Sequence, residues 1–116
     1  MIRVERGGVD GPVLALIHGM GGTADVWASW RDVLAQRWPG RWLVVDLPGH
    51  GGSPALPHYS FDALAEAVAP ELDSHDRLVV LGHSLGGVVG LALASGRLPG
   101  SRPGRKLPTA IYGSPD

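Results

Sequence analysis

Short apolar runs alternate along the chain with stretches in which apolar residues recur at helical spacing. Continuous apolar runs predict strands that are buried on both faces of a sheet. These runs are residues 13–17, 42–45, 78–81 and 109–112. The helically spaced stretches predict amphipathic helices. These stretches are residues 26–38, 61–72 and 85–95.

Residues at the ends of these segments support the predicted helices. Asp25 is favourable in the first turn of the first helix, and the Pro–Gly pair at 39–40 ends that helix. Ser60 is expected to cap the second helix, and Pro70 to end or kink it. Gly96 is the expected stop of the third helix.

The alternation of strands and helices predicts an α/β fold. Because the strands are apolar throughout, we expect a parallel sheet flanked by helices on both faces, an α/β/α three-layer arrangement. The 116 residues fit one domain, spanning residues 1–116.

The composition excludes several classes of protein. Hydrophobic residues make up 44% of the chain, charged residues 18%, and the net charge is −1. These values exclude a highly charged disordered tail, and they argue against a nucleic-acid partner, which needs a clustered basic face. The absence of Cys rules out a disulfide framework and any thiolate site. No secretory signal is visible at the N-terminus, and a cytoplasmic location is expected.

One uncharged stretch, residues 78–96, is about as long as a membrane span. Four glycines and the polar pair His83 and Ser84 interrupt it. We therefore expect a short strand followed by a helix, and no contact with a membrane.

The residues between that strand and helix form the pattern G-x-S-x-G, with Ser84 at its centre. A sharp strand-to-helix turn, or nucleophile elbow, lifts such a serine above the sheet. Side chains two positions away would collide in the turn, which explains Gly82 and Gly86. The alternative is a glycine-rich turn in which Ser84 only caps the helix.

With this motif, two further blocks make the chain resemble the N-terminal half of an α/β-hydrolase-fold enzyme. The two further blocks are HGMGG at 18–22 and DLPGHGGS at 46–53, and the motif itself lies in a third block, GHSLGG at 82–87. They occur in the family's order and together cover most of residues 12–96. The resemblance implies that the four apolar strands lie across the sheet in the order second, first, third and last, numbered along the chain.

The resemblance also implies roles for individual residues. Ser84 would be the nucleophile of a serine hydrolase, and the backbone N–H groups of Met20 and Leu85 would form the oxyanion hole. The loop and elbow glycines are Gly19, Gly21, Gly82 and Gly86. The expected substrate is a small molecule with an ester, thioester or similar acyl bond, as in small carboxylesterases and carrier-protein esterases. No metal and no cofactor are implied.

The family's triad also contains an acid and a histidine, which come after later strands. We therefore interpret the chain as a truncated form that is inactive by itself. Asp116, just after the predicted last strand, is the one candidate for the acid. An open edge at the last strand would also favour self-association.

The histidines of this chain are not expected to act as the base. The resemblance makes His18 and His50 structural, since each lies in one of the family's loops. His83 is expected to pack at the rim of the pocket, and His58 and His75 to lie on the surface.

Two other classes of protein remain open at this stage. The pattern G-x-G-x-x-A over residues 19–24, with Asp46 ending the next strand, also fits a dinucleotide-binding half-domain. A catalytically dead remnant, or a binding protein on the hydrolase fold, is the other alternative.

Overall fold

The computed structural model describes residues 1–72, 78–95 and 109–112 as one sheet with helices on both faces. The strands are β1 (Val4–Gly8), β2 (Val13–Ile17), β3 (Arg41–Val45), β4 (Leu78–His83) and β5 (Thr109–Tyr112). The helices are a 3-10 helix (Ala24–Trp30), α1 (Arg31–Arg37), α2 (Phe61–Leu72) and α3 (Leu85–Ala94).

The strand order is β1-β3-β2-β4-β5. The pairs β3–β2, β2–β4 and β4–β5 are parallel, which confirms the predicted α/β class and the predicted order of the four apolar strands. The loops that follow β2, β3 and β4 therefore leave the sheet at the same edge, which brings the three sequence blocks together.

The sheet is mixed and contains one strand that the sequence did not predict, because β3 also pairs antiparallel with β1. Its sequence, VERGG, is only partly buried and has no continuous apolar run. An edge strand needs no such run, since it pairs on one side only. Its glycines instead allow close contact: a Cβ on Gly7 would lie 2.3 Å from Cζ2 of Trp42.

The ends of the helices differ from prediction in two places. The predicted first helix consists of the 3-10 helix and then α1, and Thr23 accepts the N–H of Asp25 at its start. Ser60 caps α2 as predicted, by accepting the N–H of Ala63 at 3.0 Å. Pro70 does not end α2, which continues to Leu72 because that side chain is buried in the core.

Two apolar clusters hold the three layers together. One packs α2 and α3 against the side chains of alternate strand positions, with Val45, Val68 and Val80 fully buried. The other lies on the opposite face and contains Trp27, with Trp30 and Trp38 packed against it.

The uncharged stretch is divided between β4 and α3. Within the described parts of the chain, no helix is both long and apolar enough to span a bilayer.

Candidate active site

Ser84 occupies the turn between β4 and α3 in a strained backbone conformation. Its φ of 55° and ψ of −114° make it the one residue other than glycine with positive φ in the described ranges. Such a conformation costs about 1–3 kcal/mol and is typical of functional sites. The side chain is exposed and makes no capping hydrogen bond to α3, so the structure does not support a capping role.

The glycines on either side of Ser84 leave no room for a side chain. A Cβ on Gly82 would lie 2.3 Å from the carbonyl carbon of Gly86. A Cβ on Gly86 would lie 2.1 Å from the carbonyl oxygen of Ile17, at the end of β2. The turn is therefore tight because backbone packs directly against backbone.

The loop after β2 lies against this turn. A Cβ on Gly19 would be 3.4 Å from Cβ of Ser84 and 3.3 Å from Nδ1 of His83. The same loop contains Gly21, whose φ of 80° is in the left-handed region that favours glycine. Met20, between these glycines, is 79% exposed.

Two backbone donors lie in the segments that meet here. Leu85 is the first residue of α3, where an N–H has no acceptor within the helix. In the loop after β2, the N–H of Gly21 donates to His50 and that of Gly22 to the carbonyl of Gly19. The N–H of Met20 has no such acceptor among the described residues.

His18 is completely buried and uses both ring nitrogens. Nε2 accepts the N–H of Leu47 at 3.0 Å, so the proton is on Nδ1, which donates to the carbonyl of Gly19 at 2.6 Å. Burial lowers the pKa of His18 and outweighs the opposing hydrogen bond to Gly19. The ring is therefore neutral and joins the loop after β2 to the loop after β3.

His50 makes a second connection between the same loops. Its Nε2 accepts the N–H of Gly21 at 3.0 Å, and its Nδ1 then donates to the carbonyl of Pro48 at 3.0 Å. The rings of His18 and His50 are 5.0 Å apart. The contacts of His18 and His50 match the structural roles that the resemblance implied for them.

Asp46 is buried at the start of the loop after β3. Oδ1 accepts the N–H of Ala24 at 2.7 Å, and Oδ2 accepts the N–H of Gly52 and the Arg3 guanidinium, each at 3.0 Å. Burial alone would raise the pKa of Asp46, but these donors together hold it below its ordinary value. Because both oxygens are occupied, the carboxylate is not free to bind a ribose, which argues against the dinucleotide alternative.

Two supporting residues were missed by the sequence analysis. The hydroxyl of Ser53 donates to the carbonyl of Asp46 and accepts the N–H of Arg3 at 2.8 Å. Arg3 lies just before β1, the strand that the sequence did not predict. Ser53 was visible in the sequence as the last residue of the block 46–53, but its partner Arg3 is 50 positions away.

An apolar pocket of about 450 Å³ lies beside the two donors. It is lined by Met20, His50, Tyr59, Ser60, Phe61, Leu64 and Leu85. The sequence predicted Phe61 and Leu64 only as the apolar face of a helix, and nothing in it marked Tyr59 as a pocket residue. Both Met20 and Leu85 belong to this lining.

The remaining predicted residues that the structure describes do not complete a catalytic triad. His58 is exposed, as predicted, and His83 is half-buried beside Gly19. His75, Gly96 and Asp116 lie outside the described residues. Within the ranges that the structure describes, no three His, Asp or Glu side chains are grouped so that they could hold a metal ion.

The fold and these three loops define a class of protein. Residues 14–115 match the sequence model of the alpha/beta hydrolase family, and the chain belongs to that family.

The similarity extends to individual curated proteins and solved structures. The chain is 45% identical over 95 residues to the pimeloyl-[acyl-carrier protein] methyl ester esterase of Aeromonas hydrophila, which covers 80% of this chain and 35% of that protein. It is 33% identical over 105 residues to protein phosphatase methylesterase 1 of Bos taurus, covering 83% and 27%. A hydrolase from Pseudomonas aeruginosa superposes with a TM-score of 0.74 at 34% identity, covering 86% and 38%. The chain thus matches only about a third of the length of these proteins.

Proposed function

We propose that the protein is a serine hydrolase of ester, thioester or similar acyl bonds, with Ser84 as its nucleophile. The observation that carries the proposal is the exposed Ser84 hydroxyl at a strained turn between β4 and α3. Strain of this kind persists only where the surrounding structure enforces it. Here the close backbone packing at Gly82 and Gly86 enforces it.

In the proposed reaction, Oγ of Ser84 attacks the carbonyl carbon of the substrate, and the carbonyl oxygen becomes negative. The N–H groups of Met20 and Leu85 are the proposed donors to this oxyanion. Both are backbone donors that need no reorganisation, and the N-terminus of α3 adds positive potential. The contacts of His18 and His50 hold the loop that carries Met20.

The nucleophile also needs a base to remove its proton. His18 and His50 cannot serve, because their ring nitrogens are already engaged with backbone groups. We propose that the base and its acid partner belong to a part of the protein outside the described residues. Asp116 remains a candidate for the acid, and the 116-residue chain alone is expected to be nearly inactive.

The relatives narrow the proposed substrate. The names of the two curated relatives above both specify methyl ester hydrolysis. These names support esters as the substrate class, and we propose that the substrate is a small-molecule ester, without a metal, a cofactor, a nucleic acid or a membrane as partner. Residues 1–116 are proposed to be one partial domain of a cytoplasmic enzyme, and the edge at β5 is the proposed site of self-association.

The test compares the 116-residue chain with a chimaera in which residues 1–95 replace the matching part of the Aeromonas hydrophila esterase. The chimaera is expected to hydrolyse p-nitrophenyl acetate and to react with a fluorophosphonate probe at Ser84. Ser84→Ala should abolish both, and the chain alone should turn over no faster than its own Ser84→Ala variant.

Two outcomes would change the proposal. A folded chimaera that neither reacts nor turns over would favour a binding protein on the same fold. Robust turnover by the chain alone, lost in Ser84→Ala, would mean that the chain contains its base. Replacing each histidine by Gln would then identify that residue, and Asp116→Asn would test the acid.

A further inference from the structure

We propose that His50 is a positioning residue for the oxyanion hole, because its Nε2 selects the turn conformation that fixes the backbone of Met20. This inference rests on the proposed function, and it gives a side chain of the loop after β3 a role in ordering the loop after β2. His50 acts through the N–H of Gly21, which donates to Nε2 at 3.0 Å. Met20 lies one position before Gly21, and its N–H is the proposed oxyanion donor of this loop.

Residues 19–22 form a type II β-turn. The N–H of Gly22 donates to the carbonyl of Gly19 at 3.1 Å, which closes the turn. Gly21, at the third position, has a φ of 80°, whereas the φ of Met20, at the second position, is not positive. This combination defines type II. In the commoner type I turn the peptide between Met20 and Gly21 is turned over, so that the N–H of Gly21 points to the opposite side.

The hydrogen bond to His50 favours the type II form. The turn closes through the N–H of Gly22 and does not itself use the N–H of Gly21, which donates to Nε2 of His50. Nδ1 of the same ring donates to the carbonyl of Pro48 at 3.0 Å, so Nε2 remains an acceptor. Turning the peptide over would point the carbonyl of Met20 at Nε2, and two acceptors would then face each other. The ring therefore stabilises type II and disfavours type I.

His18 and His50 hold two successive peptides of this turn. Nδ1 of His18 donates to the carbonyl of Gly19 at 2.6 Å, and that peptide also contains the N–H of Met20. His50 holds the peptide that follows. Because peptide groups are planar, the directions of two successive peptides together fix φ and ψ of the residue between them, which is Met20. An N–H fixed in this way needs no reorganisation when the oxyanion forms.

Packing contributes little at the tip of the turn. Met20 is 79% exposed, and a Cβ on Gly21 would meet nothing within 4 Å among the described residues. The tip therefore depends on its hydrogen bonds. Without the acceptor on His50, we expect the peptide between Met20 and Gly21 to exchange between the two turn forms.

Three replacements of His50 separate its two hydrogen bonds. The side-chain amide of Gln reaches about as far as Nε2 of His, so His50→Gln can still accept the N–H of Gly21. The amide of Asn reaches only about as far as Nδ1, so His50→Asn can still donate to the carbonyl of Pro48 but cannot reach Gly21. His50→Ala removes both contacts. The control is His58→Gln, since that histidine is exposed.

NMR of the 116-residue chain tests the contact and the turn without catalysis. We expect a scalar coupling across the N–H···N hydrogen bond, between the amide nitrogen of Gly21 and Nε2 of His50. In a type II turn ψ of the second residue is about +120°, which brings Hα of Met20 close to the N–H of Gly21. In a type I turn that ψ is about −30°, which brings the two N–H groups together instead. The two forms therefore give different nuclear Overhauser effects.

The wild type and His50→Gln are expected to show the type II pattern. His50→Asn and His50→Ala should show a mixture of both patterns, and His58→Gln should match the wild type. Absence of the coupling in the wild type, or an unchanged type II pattern in His50→Ala, would overturn the proposal.

The kinetic arm uses the chimaera with p-nitrophenyl acetate. His50→Ala and His50→Asn should each lower kcat about 10–100-fold with little change in KM, because the misplaced donor acts mainly on the transition state. His50→Gln should keep most of the wild-type kcat, and His58→Gln should leave kcat unchanged. A purely structural role would not favour Gln over Asn, so equal kcat values for those two variants would contradict the proposal.

The two arms distinguish this inference from the proposed function. If Ser84 is unreactive in the chimaera but His50→Ala still changes the turn in the chain, the proposed function fails and the control of the turn by His50 stands. If Ser84 reacts but kcat does not depend on an acceptor at position 50, the positioning role of His50 fails alone.

Discussion

The two parts of the site are held in place by different kinds of contact. The Ser84 turn, residues 82–86, depends on the absence of side chains, since backbone atoms would lie within 2.3 Å of a Cβ on Gly82 or Gly86. The paired loops, residues 18–22 and 46–53, depend on hydrogen bonds made by His18, Asp46 and His50. Added atoms should therefore damage the turn, whereas lost acceptors or added protons should damage the loops.

The largest expected effect is that of one methyl group in the Ser84 turn. Gly86→Ala places Cβ 2.1 Å from the Ile17 carbonyl, a clash with backbone that cannot move aside without displacing β2. We expect a loss of about 4 kcal/mol in the free energy of unfolding, measured by urea denaturation.

Gly21→Ala is the matched control in the paired loops. A Cβ on Gly21 meets nothing within 4 Å, but the φ of 80° is unfavourable for Ala. It should cost only about 1 kcal/mol. Equal losses for Gly86→Ala and Gly21→Ala would mean that close backbone contact is not what defines the Ser84 turn.

The next effect concerns the buried acceptor of the paired loops. Asp46→Ala leaves the N–H groups of Ala24 and Gly52 without their acceptor, and should cost about 3 kcal/mol. Asp46→Asn keeps one acceptor oxygen and should cost less. Asp25→Asn is the control, because that carboxylate is 83% exposed, and it should change stability very little. Urea unfolding near pH 7 gives all three values, and a neutral Asp46→Ala would contradict the role of this carboxylate.

The same contrast explains which features were predictable from sequence. The Ser84 turn was recognisable because its requirement is local: two glycines flank a serine between an apolar strand and a helix. The strand β2 was predicted for a similarly local reason, since its burial on both faces leaves a continuous apolar run.

The supporting contacts were not predictable, because their partners are far apart in sequence. Arg3 and Ser53 are 50 positions apart, and Arg3 and Asp46 are 43 apart. β1 is an edge strand that pairs with β3 only, and its polar sequence gives no apolar signal. The pocket combines residues of α2, α3 and two loops, so it too exists only in the folded chain.

A smaller effect tests whether the Ser84 turn stores strain. Ser84→Gly should be about 1 kcal/mol more stable than Ser84→Ala, because glycine tolerates a φ of 55° and alanine does not. Both variants remove the hydroxyl, so any difference reports backbone conformation and not lost hydrogen bonds. Thermal and urea unfolding of the two variants provide the comparison, and identical stabilities would argue against strain at this residue.

The smallest expected effect is a pH dependence that belongs to the paired loops alone. Burial lowers the pKa of His18 below its ordinary value of 6.5, so the folded protein resists a proton that the unfolded chain accepts. Stability from this group is therefore complete above about pH 6.5 and falls as the pH drops toward the lower pKa of the folded state, by at most about 1.4 kcal/mol per pH unit. The contribution of Asp46 has the same sign but begins to fall only near its ordinary pKa of 3.8, so the two windows are separate. Urea unfolding between pH 7.5 and 5.5 should show the decline in the wild type, and His18→Gln should reduce its slope while lowering stability throughout. An unchanged slope in His18→Gln would show that protonation of His18 does not limit the stability of these loops.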